Sequence, residues 1–234
     1  GDRAYTTGTI SISNGSSTVT GSSTSWATNV STNDRILLRG QWYIISAIGS
    51  DTSLTISAPF GGLTLAAGSS YTIARVIKDV KITDLTIKAS NLSAIRFQYA
   101  QEIFFKDLDI QTSATGIEGD DSSNIQINEM DLVANNSGFD FNNCHFMTFN
   151  SAGTLDDLVG AGIKLTNVTN SDFDAAFFLN SAGDGINLTD CSNLSFEGVI
   201  ITSAAGQGWE FVSGNRDITL AICGAEGCGS DGIK

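Results

Sequence analysis

Every 22 to 24 residues the sequence returns to a small residue followed by apolar, polar and apolar positions. The segments are Ala94-Ile95-Arg96-Phe97, Gly116-Ile117-Glu118-Gly119, Gly138-Phe139-Asp140-Phe141, Gly162-Ile163-Lys164-Leu165, Gly185-Ile186-Asn187-Leu188, Gly208-Trp209-Glu210-Phe211 and a truncated Gly232-Ile233-Lys234. Their second residues step by 22, 22, 24, 23, 23 and 24. A second register, Ile82, Phe105, Ile127, Phe149, Phe173, Phe196 and Leu220, steps by 23, 22, 22, 24, 23 and 24. Further apolar positions follow three and five residues later, as in Leu85 and Ile87, Leu108 and Ile110, and Met130 and Leu132. A period held in two registers marks a stacked repeat.

Each repeat offers three short strands, and at roughly 3.3 Å per residue these close one three-sided coil. The expected fold is all-β: a right-handed parallel β-helix over 76–234, with rungs of about 23 residues. Alternation turns one set of side chains inward, and rungs about 4.8 Å apart stack like on like. Ile95, Ile117, Phe139, Ile163, Ile186, Trp209 and Ile233 are predicted to form one inward column, with Phe149, Phe173 and Phe196 in another. Trp209 takes an inward position, so it reads as core. Leucine-rich repeats share the period but need a Leu and Asn scaffold that is absent, and no rung carries helical spacing. The segment Ser151–Val159 breaks the pattern and is predicted as a surface loop.

Residues 1–75 lack the repeat. Uneven strands at Thr9–Ile12, Thr18–Thr20, Arg35–Leu38, Trp42–Ile45, Leu54–Ile56 and Tyr71–Ile73 predict a small β-barrel or sandwich, serving to attach the solenoid or cover its first coil. Trp26, Trp42 and Tyr43 read as its core or as an assembly contact. The chain begins Gly1-Asp2 rather than with Met and ends one residue into the polar-apolar alternation of a new rung. Removal of the native N-terminus and truncation of the β-helix at its C-terminus are therefore expected.

Composition excludes several classes of partner. A net charge of −13 repels phosphate backbones and anionic lipid heads, which argues against nucleic acid and bare membrane as partners. No apolar run is long enough to span a bilayer. Cys144, Cys191, Cys223 and Cys228, with the single histidine His145, match no zinc spacing, so no metal site is expected. Most of these cysteines read as small buried apolar residues, and the spacing of Cys223 and Cys228 permits a disulfide without requiring one. Cys144 aligns with inward positions and His145 is predicted to point away, which argues against a Cys-His nucleophile.

The run Gly8-Thr9-Ile10-Ser11-Ile12-Ser13-Asn14-Gly15-Ser16-Ser17-Thr18-Val19-Thr20-Gly21, with Trp26, Asn33-Asp34-Arg35, Trp42–Ile45, Asp51–Ile56 and Pro59-Phe60, resembles an N-terminal module of bacteriophage virion proteins. Residues 76–234 resemble the pectate-lyase-type β-helix of phage tailspikes and tail fibres. The resemblance implies a homotrimeric, elongated virion part that contacts other tail proteins and recognises bacterial surface polysaccharide, sometimes cleaving it. No lyase-type arrangement can be matched position by position, so no catalytic residue is carried over.

The residues offer one surface of their own. Arg96, Glu118, Asp140, Lys164, Asn187 and Glu210 lie between the inward apolar positions of the first strand, so they are expected to form one outward ladder. Carboxylates and amides in such a row suit the hydroxyl groups of a sugar chain, and carbohydrate binding is the role assigned to all six. The same row is open to reading as simple surface ion pairs between adjacent rungs, Arg96 with Glu118 and Asp140 with Lys164. Glu118 and Asp140, on adjacent rungs, are the candidate catalytic pair, with carboxylates roughly 5 Å apart as in a retaining glycosidase. Flanking Arg96 and Lys164 oppose a raised pKa, so binding is expected over catalysis. Asp120-Asp121 reads as an acidic turn, with Ca²⁺ as an alternative; otherwise no cofactor is expected. Three roles stay open: an adhesive tail spike or fibre segment, a polysaccharide lyase or hydrolase, and a purely structural rod.

Overall fold

The computed structural model describes residues 4–88, 91–111, 113–133, 135–150, 153–174 and 177–234. The chain divides into two compact units, Gly1–Ile77 and Lys78–Lys234.

In the first unit seven antiparallel strands run in the order Leu65–Ser69, Thr9–Ile12, Thr18–Ser22, Ser53–Ile56, Gln41–Ser50, Arg35–Leu38 and Thr72–Ala74. Alternation buries Ile10, Ile12, Val19, Leu54 and Ile56 on one face. Trp26, on a single helical turn, is fully buried; its indole donates to the Tyr71 hydroxyl at 3.0 Å, which donates to the Thr7 carbonyl at 2.6 Å. Burial pushes the Tyr71 hydroxyl pKa up to about 12. Tyr43 packs edge-on to Phe60, and Trp42 is buried as well, so all three residues belong to the interior. The strand Leu65–Ser69 escapes sequence reading because it pairs at the sheet edge and has one large apolar residue.

The second unit is a parallel β-solenoid of about 6 turns with rungs about 23 residues apart. Its first face is a six-stranded parallel sheet of Ile95–Gln98, Thr115–Asp120, Ser137–Asn142, Ile163–Thr166, Ile186–Thr189 and Trp209–Ser213. The other two faces share one 11-stranded sheet, because Ile77–Lys88, Ala100–Gln111 and Ser123–Val133 run unbroken around the corner between them. They bend at Asp84, Asp107 and Glu129, which hold φ of 55°, 54° and 50°. From His145 onward the second face (His145–Phe149, Thr169–Asp174, Ser192–Glu197, Arg216–Ala221) and the third (Gly153–Leu158, Phe177–Ser181, Ile200–Ala204, Gly224–Ala225) use separate strands.

Side chains stack in the predicted columns. Ile117, Phe139, Ile163, Ile186 and Trp209 pair rung to rung and are buried; Ile233, in the last rung, is exposed. Phe149, Phe173 and Phe196 stack with centroids 4.6 and 4.5 Å apart, adding ring contact to their burial. Leu108, Ile110, Met130 and Leu132 are buried as expected, whereas Leu85 is exposed.

The glycine that opens each of the five repeats after the first, which opens on Ala94, has a steric cause. A Cβ built on Gly116, Gly138, Gly162, Gly185 or Gly208 lies 2.5–2.7 Å from the carbonyl oxygen of the glycine one rung further on. Those same oxygens accept ladder hydrogen bonds, as in Ile186 N–H to Gly208 at 2.9 Å. The rungs approach too closely here for any side chain.

Two sequence expectations need correction, and one open alternative is decided. Gly153–Leu158 is a strand paired with Asp131–Val133; Ser151 and Ala152 lie outside the described residues. A register irregularity between Leu155 and Leu158 lets both leucines point inward although three residues apart, which hides the alternation. His145 does not face solvent: it is buried at the start of a second-face strand, with its Nδ1 2.7 Å from Thr169 Oγ1. All four cysteines are free, so Cys223 and Cys228 form no disulfide.

Candidate functional site

The backbone register superposes the predicted ladder. Glu118 pairs with Arg96 and Asp140, Asp140 with Lys164, Lys164 with Asn187, and Asn187 with Glu210. The apolar residues that flank them in each strand belong to the core or pack against it, so the six side chains project from the first face.

Within the row the groups bond to one another in pairs. Arg96 Nε lies 3.1 Å from Glu118 Oε1, and Ser93 Oγ donates to Glu118 Oε2 at 2.5 Å. Lys164 Nζ lies 3.2 Å from Asp140 Oδ2, and the Asn187 amide donates to Glu210. Glu118 and Asp140 thus occupy adjacent rungs, each engaged by the cation on its far side. Solvent screens such half-exposed pairs, so each is worth about 0–1 kcal/mol. What the row offers chemically is a mixed strip of two cations, three carboxylates and an amide.

Beside it runs a second column of hydrogen bonds. Asp120 accepts from Gln98 Nε2 and Asn142 Nδ2, each at 2.9 Å, and Asp121 accepts from Asn143 Nδ2 at 3.3 Å. Burial, then the neighbouring Asp120 charge, raises the Asp121 pKa. Tyr99, Asp121, Asn143, Asn167 and Asp190 hold φ between 46° and 53°, so this corner is a left-handed turn repeated on every rung. Four of the five are Asp or Asn, whose short polar side chains hold that conformation at little cost, which explains the Asp-rich turns; Tyr99 is the exception. Asp184 fills a similar role at another corner, accepting from Gln207 N–H at 2.9 Å.

Cys144 and His145 take separate partners: the thiol donates weakly to the Asn142 carbonyl at 3.5 Å, whereas the imidazole meets Thr169. Burial pushes the Cys144 pKa up to about 12 and lowers that of His145. A thiol held neutral is a poor nucleophile.

The sequence pattern did not single out a groove of about 350 Å³ on the second face. Asn124, Gln126, Thr148, Asn170 and Asp172 surround Phe146, which is 48% exposed. The available signal was positional: Phe146 stands where neighbouring rungs carry Asn124 and Asn170.

No protein-family model and no curated protein matches the chain. Among solved structures it is similar to the tailspike protein gp49 from Pseudomonas phage LKA1, with a TM-score of 0.50 and 14% sequence identity. The match covers 94% of this chain and 42% of that protein, so the chain spans less than half its length. What the two share is the fold, a tailspike-like parallel β-helix.

Proposed function

We propose that this chain is a segment of a phage tail spike or tail fibre, a virion component whose solenoid forms a stiff rod and binds bacterial surface polysaccharide. The N-terminal module attaches it to other tail proteins, and three copies assemble. The observation that carries this reading is the rung-to-rung register of Arg96, Glu118, Asp140, Lys164, Asn187 and Glu210. A polymer lying along the solenoid axis meets a fresh hydrogen-bonding group at each rung, so weak contacts add along one chain and across copies. The tailspike-like fold supports the same reading. With Glu118 and Asp140 each engaged by a cation, the row acts in binding rather than in bond cleavage.

The test is a bacterial-glycan array probed with the wild-type chain and with Glu118→Ala/Asp140→Ala. Wild-type binding to at least one surface polysaccharide, weakened at least fivefold in the double variant, is expected. Unchanged binding by the variant removes the ladder from the site, and absence of wild-type binding overturns the function.

A further inference from the structure

We infer that the groove around Phe146 is a subsite for one uncharged pyranose unit, with Phe146 as the ring against which the sugar's C–H face stacks. This rests on the polysaccharide reading and adds a position that the first-face ladder does not contain.

The first support is conformational. Asp79, Glu102, Asn124, Phe146, Asn170, Asn193 and Asp217 form one left-handed corner, with φ between 53° and 60°. Six of the seven are polar residues, five of them Asn or Asp, and Asn124 and Asn170 flank Phe146 on the adjacent rungs. Asn and Asp enter this region readily, whereas a bulky aromatic does so under strain. Phe146 also interrupts an amide row that continues beyond it, where Asn193 Nδ2 donates to Asn170 Oδ1 at 2.8 Å. Burial does not repay the strain, since about half of the side chain faces solvent. A strained residue left exposed at a groove points to a contact made outside the chain.

The second support is chemical. Among the described residues, the side chains of Asn124, Gln126, Thr148 and Asp172 make no hydrogen bond or ion pair, in contrast to the self-paired groups of the first-face ladder. Amide and hydroxyl donors and a carboxylate acceptor around an exposed ring match the two sides of a pyranose, apolar C–H groups and a rim of hydroxyls. The volume lies at the lower end of the roughly 300–1,000 Å³ of small-ligand clefts. Asp172 and the net charge of −13 disfavour a uronate and select an uncharged sugar.

Phe146→Asn and Phe146→Trp separate this role from a structural one. Fragments of the polysaccharide bound on the array are titrated by calorimetry, with saturation-transfer NMR to map the sugar protons at the protein surface. Phe146→Asn relieves the corner, so its melting temperature is expected at or above wild type while binding weakens at least tenfold. Phe146→Trp is expected to bind within threefold of wild type, with the strongest saturation on ring C–H protons of an uncharged residue. Unchanged binding by Phe146→Asn overturns the subsite while leaving the polysaccharide reading intact. Saturation confined to uronate residues overturns the sugar class, and absence of wild-type binding overturns both.

Discussion

Gly185→Ala tests the packing on which the solenoid depends. The new methyl group lies 2.5 Å from the Gly208 carbonyl oxygen and 2.8 and 3.0 Å from two carbons of Ile201, where about 3.5–4.0 Å is comfortable. Ile201 is fully buried, and the Gly208 oxygen already accepts from Ile186 N–H, so neither neighbour retreats freely. Overpacking of this kind costs about 1–3 kcal/mol, and a stretched ladder bond adds about 0.5–1 kcal/mol. The smaller conformational freedom of Ala in the unfolded chain offsets about 0.4–1 kcal/mol. The net expectation is a loss of about 2 kcal/mol, which for a chain of this size lowers the melting temperature by about 4–8 °C. Gly224→Ala is the control, because nothing lies within 4 Å of its Cβ position and its φ is not left-handed. It is expected to melt at or slightly above wild type in far-UV circular dichroism scans of all three proteins. Gly185→Ala melting with wild type, or both variants losing equally, refutes the close approach of the glycine column.

Phe173→Ala removes the middle ring of the Phe149–Phe173–Phe196 stack and is expected to cost about 3–5 kcal/mol in urea denaturation; a loss below about 1 kcal/mol is incompatible with a packed column. His145 has a lowered pKa in the folded chain, so its stabilising contribution is present above the unfolded value of 6.5 and is lost as pH falls through the depressed folded value. Stability measured from pH 7 to pH 5 is expected to fall less steeply in His145→Gln, and parallel curves remove His145 from the acid response. Cys144, with its pKa raised to about 12, acts on the alkaline side: the unfolded thiol ionises from about 9 upward while the folded one stays neutral. Cys144→Ala is therefore expected to lose less stability than wild type between pH 8 and 10, as read from urea midpoints.

Much of this protein is written in its period. A repeat of about 23 residues with alternating polarity fixes three strands per rung, because only inward stacking of like residues buries Ile117, Phe139, Ile163 and Trp209 together. The outward row from Arg96 to Glu210 follows from the same alternation. The ion pairs Arg96–Glu118 and Asp140–Lys164 were legible in the same way, and the structure forms both; sequence could not decide that Ser93 donates to Glu118 or that the Asn187 amide reaches Glu210, since such bonds depend on which neighbour each flexible side chain meets. Nor could it reveal a strand at Gly153–Leu158, where an irregularity disrupts the period, or a buried His145. Recurring glycines were visible, but their cause is a carbonyl one rung away and 23 residues distant for Gly185 and Gly208. The Phe146 groove is likewise tertiary: a ring, amides, a hydroxyl and a carboxylate meet there only because three rungs stack.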